Sequence, residues 1–332
     1  MRIAINGLGR IGRAVLKNIV KLKKEIVAVN DLADIKNLLY LLKYDSVYGR
    51  WQEEVKIDKD SLIIAGKKIK ILNGKDPSEL PWKELGVDVV LEATGVFLDK
   101  ESNQSHITAG AKYVIISAPA EDDTPTYVLG VNTQNSITDK IISNASCTTN
   151  CVAPILEILD RYFGIDKSLM STIHAYTATQ NMVDTADKRF SRGRAASLNL
   201  VPTTTGAAKA ACLTLPNLKN KFDGLAIRVP IPVVSLIDLT AILKNKVSVE
   251  EINEVFKKEA QRDRYKDILG YTEEPLVSTD FIGDEHSAVV AGEFTRVCEG
   301  DMVKVMAWYD NEWAYAKRLV ELIDCLKLSD NS

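Results

Sequence analysis

The sequence predicts an α/β protein with two domains: an N-terminal parallel sheet flanked by helices, a mostly antiparallel α+β domain, and a C-terminal helix that returns to the first domain. Three observations predict this fold. Short β-branched runs alternate with amphipathic helical patterns before residue 147, long apolar strands with few helices follow, and residues 313–328 carry aliphatic side chains at helical spacing. With 332 residues, 46% of them hydrophobic, the chain is long enough to bury two cores.

The first domain is predicted from strands that alternate with helices. Arg10–Lys23 and Asp34–Tyr44 each place aliphatic side chains on one face, and Asp34 is a predicted helix cap. Residues 55–72 depart from this pattern, because short strands separated by polar or glycine turns predict an antiparallel insertion. The other strands are predicted at Arg2–Asn6, Glu25–Asn30, Val87–Glu92, Lys112–Ser117 and Lys140–Ser143. Alternation of this kind builds a parallel sheet.

The pattern changes after Cys147. A polar stretch runs from Thr177 to Ser197, and the apolar strands Phe222–Val229 and Val234–Leu243 are too long for another array of alternating strands and helices. We therefore predict a first, nucleotide-binding domain of residues 1–147 with 312–332 and a second, catalytic domain of residues 148–311.

The composition narrows the classes of function. A formal net charge of −3 gives no general electrostatic attraction to nucleic acid or to an anionic membrane. The start of the chain lacks a secretory signal pattern, and five cysteines, an odd number, argue against a disulfide framework, so a cytoplasmic protein is predicted. Apart from Cys147 and Cys151, the cysteines and histidines are scattered singly, unlike the paired ligands of structural zinc, so no metal site is predicted.

A glycine-rich turn follows the first predicted strand. Gly7 permits a tight bend, Gly9 lets the backbone approach a pyrophosphate, and Gly12 lets the helix pack closely on the strand. Asp31 follows Gly12 by 19 residues, at the end of the second strand, where a carboxylate accepts hydrogen bonds from ribose hydroxyls and repels a 2′-phosphate. The sequence therefore predicts a Rossmann-type domain that binds NAD rather than NADP.

A cysteine and a histidine near the middle of the chain predict a nucleophile and its base. His174 follows Cys147 by 27 residues. A free thiol titrates near ~8.5, so Cys147 needs help at neutral pH, and a helix that starts just after it would supply this help together with His174. With the dinucleotide site, this pair predicts oxidation of an aldehyde through a thioester. Cys151 is interpreted as a packed thiol, and His106 and His286 as structural or surface groups.

These residues belong to longer motifs. The motifs are Asn6–Arg13, Ser143–Cys151, His174–Gln180, Arg194–Ala196, Thr203–Lys209 and Trp308–Trp313. Together they resemble phosphorylating glyceraldehyde-3-phosphate dehydrogenase, and the resemblance runs from end to end of the chain. It implies oxidation of D-glyceraldehyde 3-phosphate with NAD and inorganic phosphate to 1,3-bisphosphoglycerate and NADH, in glycolysis or gluconeogenesis. It also implies that Cys147 is the nucleophile, that His174 is the base and that the enzyme is a homotetramer.

The resemblance further implies which residues bind the ligands. Thr177 and Arg228 would contact the substrate phosphate, and Arg194 would brace the loop that precedes it. The attacking phosphate would be held by Ser146, Thr148, Thr205 and Gly206, with Arg192 near both phosphates. The cofactor would be contacted by Gly7, Gly9, Arg10, Ile11, Gly12, Asp31, Lys75, Thr94 and Ser117, and at its nicotinamide by Asn311 and Tyr315.

Three alternatives remain at this point. Erythrose-4-phosphate dehydrogenase shares the thiol motif, and residues 293–297 resemble it, but its attacking species is water, and the intact phosphate loop Thr203–Lys209 favours the phosphorylating enzyme. Aspartate-semialdehyde dehydrogenase shares the thioester chemistry, but Arg228 and Thr177 favour a substrate that carries phosphate. A non-catalytic nucleotide sensor on the same scaffold would have no need for the cysteine–histidine pair.

Overall fold

The computed structural model describes residues 1–327. Two predictions reach beyond them, since the last predicted helix ends at Leu328 and the first predicted domain ends at residue 332; these parts lie outside the described residues. The chain divides into two compact units. The first contains Met1–Tyr127, Asn135–Ala145 and the described residues from Ala316 onward, and the second contains Val128–Gln134 and Ser146–Tyr315.

The first unit is built on an eight-stranded sheet. Its elements are β1 (Arg2–Asn6), α1 (Arg10–Lys21), β2 (Glu25–Asn30), α2 (Ile35–Lys43), β3 (Tyr44–Asp45), β4 (Gly49–Arg50), β5 (Val55–Asp58), β6 (Ser61–Ile64), β7 (Lys67–Leu72), β8 (Val89–Glu92), α3 (Lys100–Thr108), β9 (Tyr113–Ile116) and β10 (Ile141–Ser143). The strand order is β10-β9-β8-β1-β2-β7-β6-β5, and β3 and β4 form a separate pair. Pairing is parallel from β10 to β7, which confirms the predicted parallel sheet. β5, β6 and β7 form the predicted antiparallel insertion, and β7 joins it to the parallel sheet by pairing in parallel with β2.

The helix after β2 has its predicted cap, and the helix after β1 is shorter than predicted. Asp34 caps α2, since its carboxylate accepts hydrogen bonds from the backbone N–H groups of Lys36 and Asn37 at 2.9 and 3.1 Å. α1 ends at Lys21, earlier than predicted, because Lys23 adopts a left-handed φ of +56° through which a right-handed helix cannot continue. The start of α1 directly after the glycine turn is the feature on which the nucleotide site depends.

The second unit contains a mixed, mostly antiparallel sheet. Its elements are α4 (Cys147–Phe163), β11 (Ile165–Ala175), β12 (Val201–Thr204), α5 (Ala207–Thr214), β13 (Phe222–Val229), β14 (Ser235–Leu243), α6 (Val249–Ala260), β15 (Leu269–Thr272), β16 (Ala288–Ala291), β17 (Arg296–Cys298), β18 (Met302–Tyr309) and the first turn of α7 (Trp313–Leu322). The order is β12-β13-β11-β14-β18-β16-β15, with β17 beside β18. Among these described pairs only β11 with β13 and β15 with β16 are parallel, which confirms the predicted character of this domain.

Two features of the second unit position functional side chains. The parallel register of β11 and β13 places His174 directly beside Arg228. α4 begins at Cys147 and runs through Pro154, which lies beyond the first turn. α7 contributes its residues after Tyr315 to the first unit and ends at Leu322, before the predicted limit. None of the helices within residues 1–327 combines the length and the apolar character that a membrane-spanning helix needs.

Candidate active site

The glycine turn between β1 and α1 leaves one side of its backbone open. Gly7 has a φ of +93°, and a Cβ there would lie 2.8 Å from the backbone N of Thr94. A Cβ on Gly12 would lie 1.9 Å from the carbonyl oxygen of Gly7, whereas nothing lies within 4 Å of a Cβ built on Gly9. Packing therefore requires the outer two glycines, and the middle one gives a ligand access to the backbone.

We expect Gly12→Ala to weaken NAD binding about tenfold or more. The added methyl group collides with the Gly7 carbonyl, and overpacking of this kind costs about 1–3 kcal/mol and displaces backbone. Isothermal titration calorimetry and thermal unfolding would measure both effects. Gly9→Ala is the matched variant, because its methyl group meets no protein atom and should leave the thermal midpoint unchanged. An affinity of Gly12→Ala within about twofold of wild type would contradict the expectation.

The start of α1 and the end of β2 complete this turn. Gly9 is the N-cap of α1, and no side chain within residues 1–327 caps the helix, an arrangement suited to a phosphate at its positive end. Asp31 accepts hydrogen bonds from the backbone N–H groups of Leu8 at 2.6 Å and Ala33 at 2.8 Å. A carboxylate accepts more than two donors, so Asp31 retains capacity for ribose hydroxyls. These residues fit a dinucleotide.

Thr94 and Ser117 lie at the carboxyl ends of neighbouring parallel strands. Both donate hydrogen bonds to Glu92, the last residue of β8. Thr94 donates to the Glu92 carboxylate through its backbone N–H at 2.8 Å and through its hydroxyl. Ser117 donates its N–H to the backbone carbonyl of Glu92 at 2.9 Å. The carboxyl edge of a parallel sheet is where nucleotide ligands bind in such folds.

Three further predicted cofactor residues lie near α1 and β7. The Arg10 guanidinium forms an ion pair with Asp45 at 2.9 Å, which holds this side chain near the start of α1. Ile11 is half-buried in the first turn of α1. Lys75 is exposed in the loop after β7.

The predicted nucleophile and base contact each other in the second unit. Cys147 is the first residue of α4, and the hydroxyl of its N-cap, Ser146, accepts a hydrogen bond from the N–H of Thr149 at 3.0 Å. His174 lies near the end of β11, and its Nε2 is 3.5 Å from the Sγ of Cys147. The thiol therefore lies at the positive end of a helix and within hydrogen-bond reach of an imidazole.

The imidazole is held on its other side by a carbonyl and a cation. Nδ1 of His174 lies 2.7 Å from the carbonyl oxygen of Ala175, which also accepts a hydrogen bond from the Arg228 guanidinium at 3.1 Å, so a ring hydrogen on Nδ1 leaves Nε2 as an acceptor facing the thiol. Burial, and then the charge of Arg228, lower the pKa of His174 to about 3. Burial raises the pKa of the Cys147 thiol, although the charge of Arg228 opposes this. His174 is therefore neutral at neutral pH, the form of the ring that can accept a proton.

The low pKa of His174 predicts that stability depends on pH. The unfolded chain protonates a histidine near pH ~6.5, whereas the folded chain keeps His174 neutral down to about pH 3. Because the unfolded state binds more protons in this window, the free energy of unfolding should fall as pH drops below ~6.5, by up to about 1.4 kcal/mol per pH unit. Denaturant titrations of wild type and His174→Asn between about pH 5 and 7 check this. Equal slopes for the two proteins would refute it.

Two guanidinium groups lie close to the thiol–imidazole pair. Arg228 contacts His174, and Nε of Arg192 donates a hydrogen bond to the hydroxyl of Thr203 at 2.9 Å. Burial lowers the pKa of Arg192, and the charges of Arg189 and Arg228 lower it further. Like charges held together favour a bound anion, and planar guanidinium groups suit phosphate. The structure thus brings together Arg192 and Arg228, both predicted to bind phosphate.

Thr177 is fixed by a residue to which the sequence assigned no role. Its N–H and its hydroxyl donate hydrogen bonds to Oε1 of Gln180 at 3.0 and 3.3 Å. Gln180 is 7% exposed, and its Nε2 has no hydrogen-bond partner among the described residues. The buried Nε2 donor of Gln180 is suited to a bound oxyanion.

Thr205 accepts a hydrogen bond from the N–H of Ala207 at 3.2 Å, and Gly206 is the N-cap of α5 without a side-chain cap among the described residues.

Tyr309 also lay outside the predicted site. Its hydroxyl is 2.9 Å from the hydroxyl of Thr148 and 2.8 Å from that of Thr172. Thr148, expected to hold phosphate, is 3% exposed, and its hydroxyl is engaged by this buried tyrosine. Tyr309 lies in a motif that the sequence analysis recognised, but only the packing of β18 against α4 gives it a partner.

Asn311 is oriented through a serine that the sequence did not single out. Ser235 donates its hydroxyl to Oδ1 of Asn311 at 2.9 Å and accepts a hydrogen bond from the N–H of Ala175 at 3.1 Å. Ser235 therefore ties Asn311 to the end of β11, one residue beyond His174. Tyr315 is 4% exposed, and burial raises the pKa of its hydroxyl.

The remaining sequence interpretations have clear outcomes. His106 is a structural group and not a surface one, because it is fully buried and bonded to Glu92. Arg194 braces its loop through an ion pair with Asp184 at 3.0 Å. His286 is half-exposed and pairs with an aspartate. Within residues 1–327, no group of histidine, cysteine or acidic side chains is arranged to hold a metal ion.

The two sites define a class of protein. A dinucleotide-binding turn lies in one unit, and a half-buried thiol in contact with a buried imidazole, beside two guanidinium groups, lies in the other. This combination is that of an NAD-dependent dehydrogenase that acts on an aldehyde through a covalent intermediate.

Comparison with known proteins identifies the family within this class. Residues 1–100 match the model of the “Glyceraldehyde 3-phosphate dehydrogenase, NAD binding domain”, and residues 146–311 match that of the C-terminal domain. The chain is 50% identical to glyceraldehyde-3-phosphate dehydrogenase 2 of Bacillus subtilis, over 97% of this chain and 96% of that protein. It is 49% identical to the enzyme of Streptomyces coelicolor over 97% of each chain, and 48% identical to that of Borreliella burgdorferi over 97% and 98%. The chain belongs to the glyceraldehyde-3-phosphate dehydrogenase family.

Proposed function

We propose that this protein oxidises D-glyceraldehyde 3-phosphate with NAD and inorganic phosphate, and releases 1,3-bisphosphoglycerate and NADH in glycolysis or gluconeogenesis. The contact between Cys147 and His174, with 3.5 Å between Sγ and Nε2, carries this proposal. Membership of the family supports the substrate and the cofactor. A non-catalytic sensor would not need such a pair beside two cations.

The chemistry begins at the thiol. Cys147 Sγ attacks the aldehyde carbon while His174 Nε2 takes the thiol proton, and the proton then passes to the carbonyl oxygen, which gives a hemithioacetal. The backbone N–H of Cys147 and the His174 ring stabilise the developing oxyanion. His174 next takes the proton of the hemithioacetal hydroxyl, and a thioester forms on Cys147 as hydride departs. A bound NAD would supply the acceptor for this hydride.

The thioester is then cleaved by phosphate. A phosphate oxygen attacks the thioester carbon, the C–S bond breaks, and Cys147 leaves with the proton that His174 returns. We assign the substrate phosphate to Thr177 and Arg228, because Gln180 fixes the former and the latter is paired with His174. We assign the attacking phosphate to Ser146, Thr148, Thr205 and Gly206, with Arg192 near both phosphates.

We assign cofactor contacts to residues of each unit separately. We assign the pyrophosphate to the turn around Gly9 with Arg10 and Ile11, and the ribose to Asp31. The other assigned cofactor residues are Gly7, Gly12, Lys75, Thr94 and Ser117, with Asn311 and Tyr315 at the nicotinamide. We accordingly assign NAD binding to residues 1–147 with 312–332 and substrate binding to residues 148–311, a division that the two matched family domains support.

We also propose a cytoplasmic homotetramer. Large apolar side chains of the 182–200 segment are exposed, Phe190 by 90% and Leu198 by 82%, and such a patch favours burial against another copy of the chain. All five cysteines are free thiols, which fits a reducing compartment. Light scattering coupled to size-exclusion chromatography would measure the oligomeric state.

The proposed reaction is tested by following NADH formation with and without inorganic phosphate. Glyceraldehyde 3-phosphate should give NADH only when phosphate is present, and NADP should be a poor substitute for NAD because Asp31 repels a 2′-phosphate. Erythrose 4-phosphate is the matched second substrate. If its oxidation is faster and indifferent to phosphate, the proposed function is wrong and the erythrose-4-phosphate enzyme takes its place.

A further inference from the structure

A buried chain of polar side chains lies beneath the nucleotide-binding edge of the first sheet. Glu92, at the carboxyl end of β8, is 1% exposed, and His106 and Trp82 are fully buried. Asn6 and Asn30, at the carboxyl ends of β1 and β2, are 2% and 4% exposed. None of these five residues belongs to the catalytic or ligand-binding sets assigned above, and burial of so many polar groups is costly unless every one is bonded.

The Glu92 carboxylate receives hydrogen bonds on both oxygens. Oε1 accepts the backbone N–H of Thr94 at 2.8 Å and the hydroxyl of the same residue. Oε2 accepts the amide of Asn6 at 2.6 Å and lies 3.1 Å from Nε2 of His106. Trp82 donates its indole N–H to Nδ1 of His106 at 2.9 Å. Because an indole nitrogen only donates, Nδ1 is the acceptor and the ring hydrogen lies on Nε2, facing Glu92.

The two asparagines continue the chain toward β7. Asn30 donates to Oδ1 of Asn6 at 2.7 Å and to the carbonyl oxygen of Gly74 at 2.9 Å, and it accepts the N–H of Gly74 at 2.8 Å. The Asn6 amide therefore cannot flip without losing Asn30, and the His106 ring cannot change tautomer without losing Trp82. Each donor around Glu92 is held in its orientation by a neighbour. The Glu92 position therefore requires a side chain that only accepts hydrogen bonds.

The residues at the ends of this hydrogen-bonded network are, or adjoin, residues assigned to the cofactor in the first unit. Thr94 is one of them, and its backbone N is the atom that a Cβ on Gly7 would approach to 2.8 Å. Ser117 donates to the backbone carbonyl of Glu92, and Gly7 donates to that of Asn30, at 2.9 and 2.8 Å. Gly74 adjoins Lys75. The buried carboxylate thus bonds the Thr94 turn directly, and the backbone of Glu92 and Asn30 bonds Ser117 and Gly7.

We propose that Glu92 is a positioning residue for NAD: its buried carboxylate, oriented by His106, fixes the Thr94 turn against Gly7 and, through Asn6 and Asn30, fixes the Gly74 turn. The site is thereby organised before the cofactor binds, and NAD does not have to order it. Glu92 acts through these neighbours and not through contact with the reacting atoms. The inference rests on the proposed function only in that NAD is the cofactor.

The test measures NAD binding by isothermal titration calorimetry on Glu92→Gln. The amide that replaces one oxygen turns a donor toward other donors, whichever way it lies. Leaving buried donors unsatisfied should raise the Kd for NAD about tenfold or more. The KM for NAD should rise with it, while kcat at saturating NAD stays within about twofold of wild type. Alkylation of Cys147 by iodoacetamide without NAD should proceed at the wild-type rate.

Tyr113→Phe is the matched control. It also removes one hydrogen bond from the first unit, that from the Tyr113 hydroxyl to the carbonyl oxygen of Lys327 at 2.5 Å, but Tyr113 lies at the opposite end of the sheet, where β9 begins. This variant should lose stability without losing affinity for NAD. A Kd of Glu92→Gln equal to that of Tyr113→Phe would overturn the proposal, even with a lowered thermal midpoint, since the network would then be structural only.

A second variant covers a failure of Glu92→Gln to fold. His106→Ala keeps the carboxylate and removes one of its donors together with the link to Trp82, so it should also raise the Kd for NAD, and an unchanged Kd would again overturn the proposal. Because binding is measured without turnover, the result is independent of the aldehyde. Failure of the phosphate-dependent assay with normal effects on NAD binding would refute the proposed function alone.

Discussion

Cys147→Ser should lower kcat by about 10⁴-fold or more, since the variant has no group that can form the covalent intermediate. A serine hydroxyl is far less acidic than a thiol, so His174 cannot activate it as it activates Cys147. Initial rates of NADH formation at saturating substrate measure the loss. The Kd for NAD should remain within about twofold of wild type, because the cofactor residues assigned to the first unit are untouched.

Cys151→Ala is the control for Cys147→Ser. Cys151 lies one turn further along α4, is fully buried, and burial raises the pKa of its thiol well above the ordinary value. It should therefore be inert, and its replacement should leave kcat within a few-fold of wild type at some cost in stability. Substantial activity in Cys147→Ser, or a loss in Cys151→Ala as large as that in Cys147→Ser, would remove Cys147 from the role of nucleophile.

The parts of both sites that the sequence predicted are those that local chemistry determines. The glycine turn depends on spacing within one strand–turn–helix unit, and the packing requirement at Gly12 appears in the structure as a close approach of a Cβ built there to the carbonyl oxygen of Gly7. Cys147 at a helix start likewise follows from the residues beside it. Patterns of this kind can be recognised in a sequence because their residues interact with near neighbours along the chain.

The contacts that the sequence did not predict form between different elements of the fold. Glu92 and His106 become partners only when α3 packs beside β8, and Tyr309 reaches Thr148 across 161 positions of the chain. Ser235 and Asn311 meet because β14 and β18 pair with one another. Neither periodicity nor spacing in the sequence predicts such contacts. His106 could therefore be assigned only as a structural or surface group before the fold was known.

His174→Asn should lower kcat by about 10²–10⁴-fold and change which step limits the rate. An asparagine can stabilise an oxyanion but cannot accept a proton, so both the attack of the thiol and the departure of hydride lose their base. The residual rate should rise with pH, because hydroxide ionises the Cys147 thiol, whose pKa burial raises, and the wild type should not show this dependence to the same degree. Stopped-flow measurement of the first turnover separates these steps.

Gln180→Glu is the contrasting variant. It places a negative charge beside Thr177 and should raise KM for the phosphorylated substrate far more than it lowers the rate of the chemical step. If His174→Asn instead raised KM with kcat unchanged, the imidazole would be a binding group and the assignment of the base would be wrong.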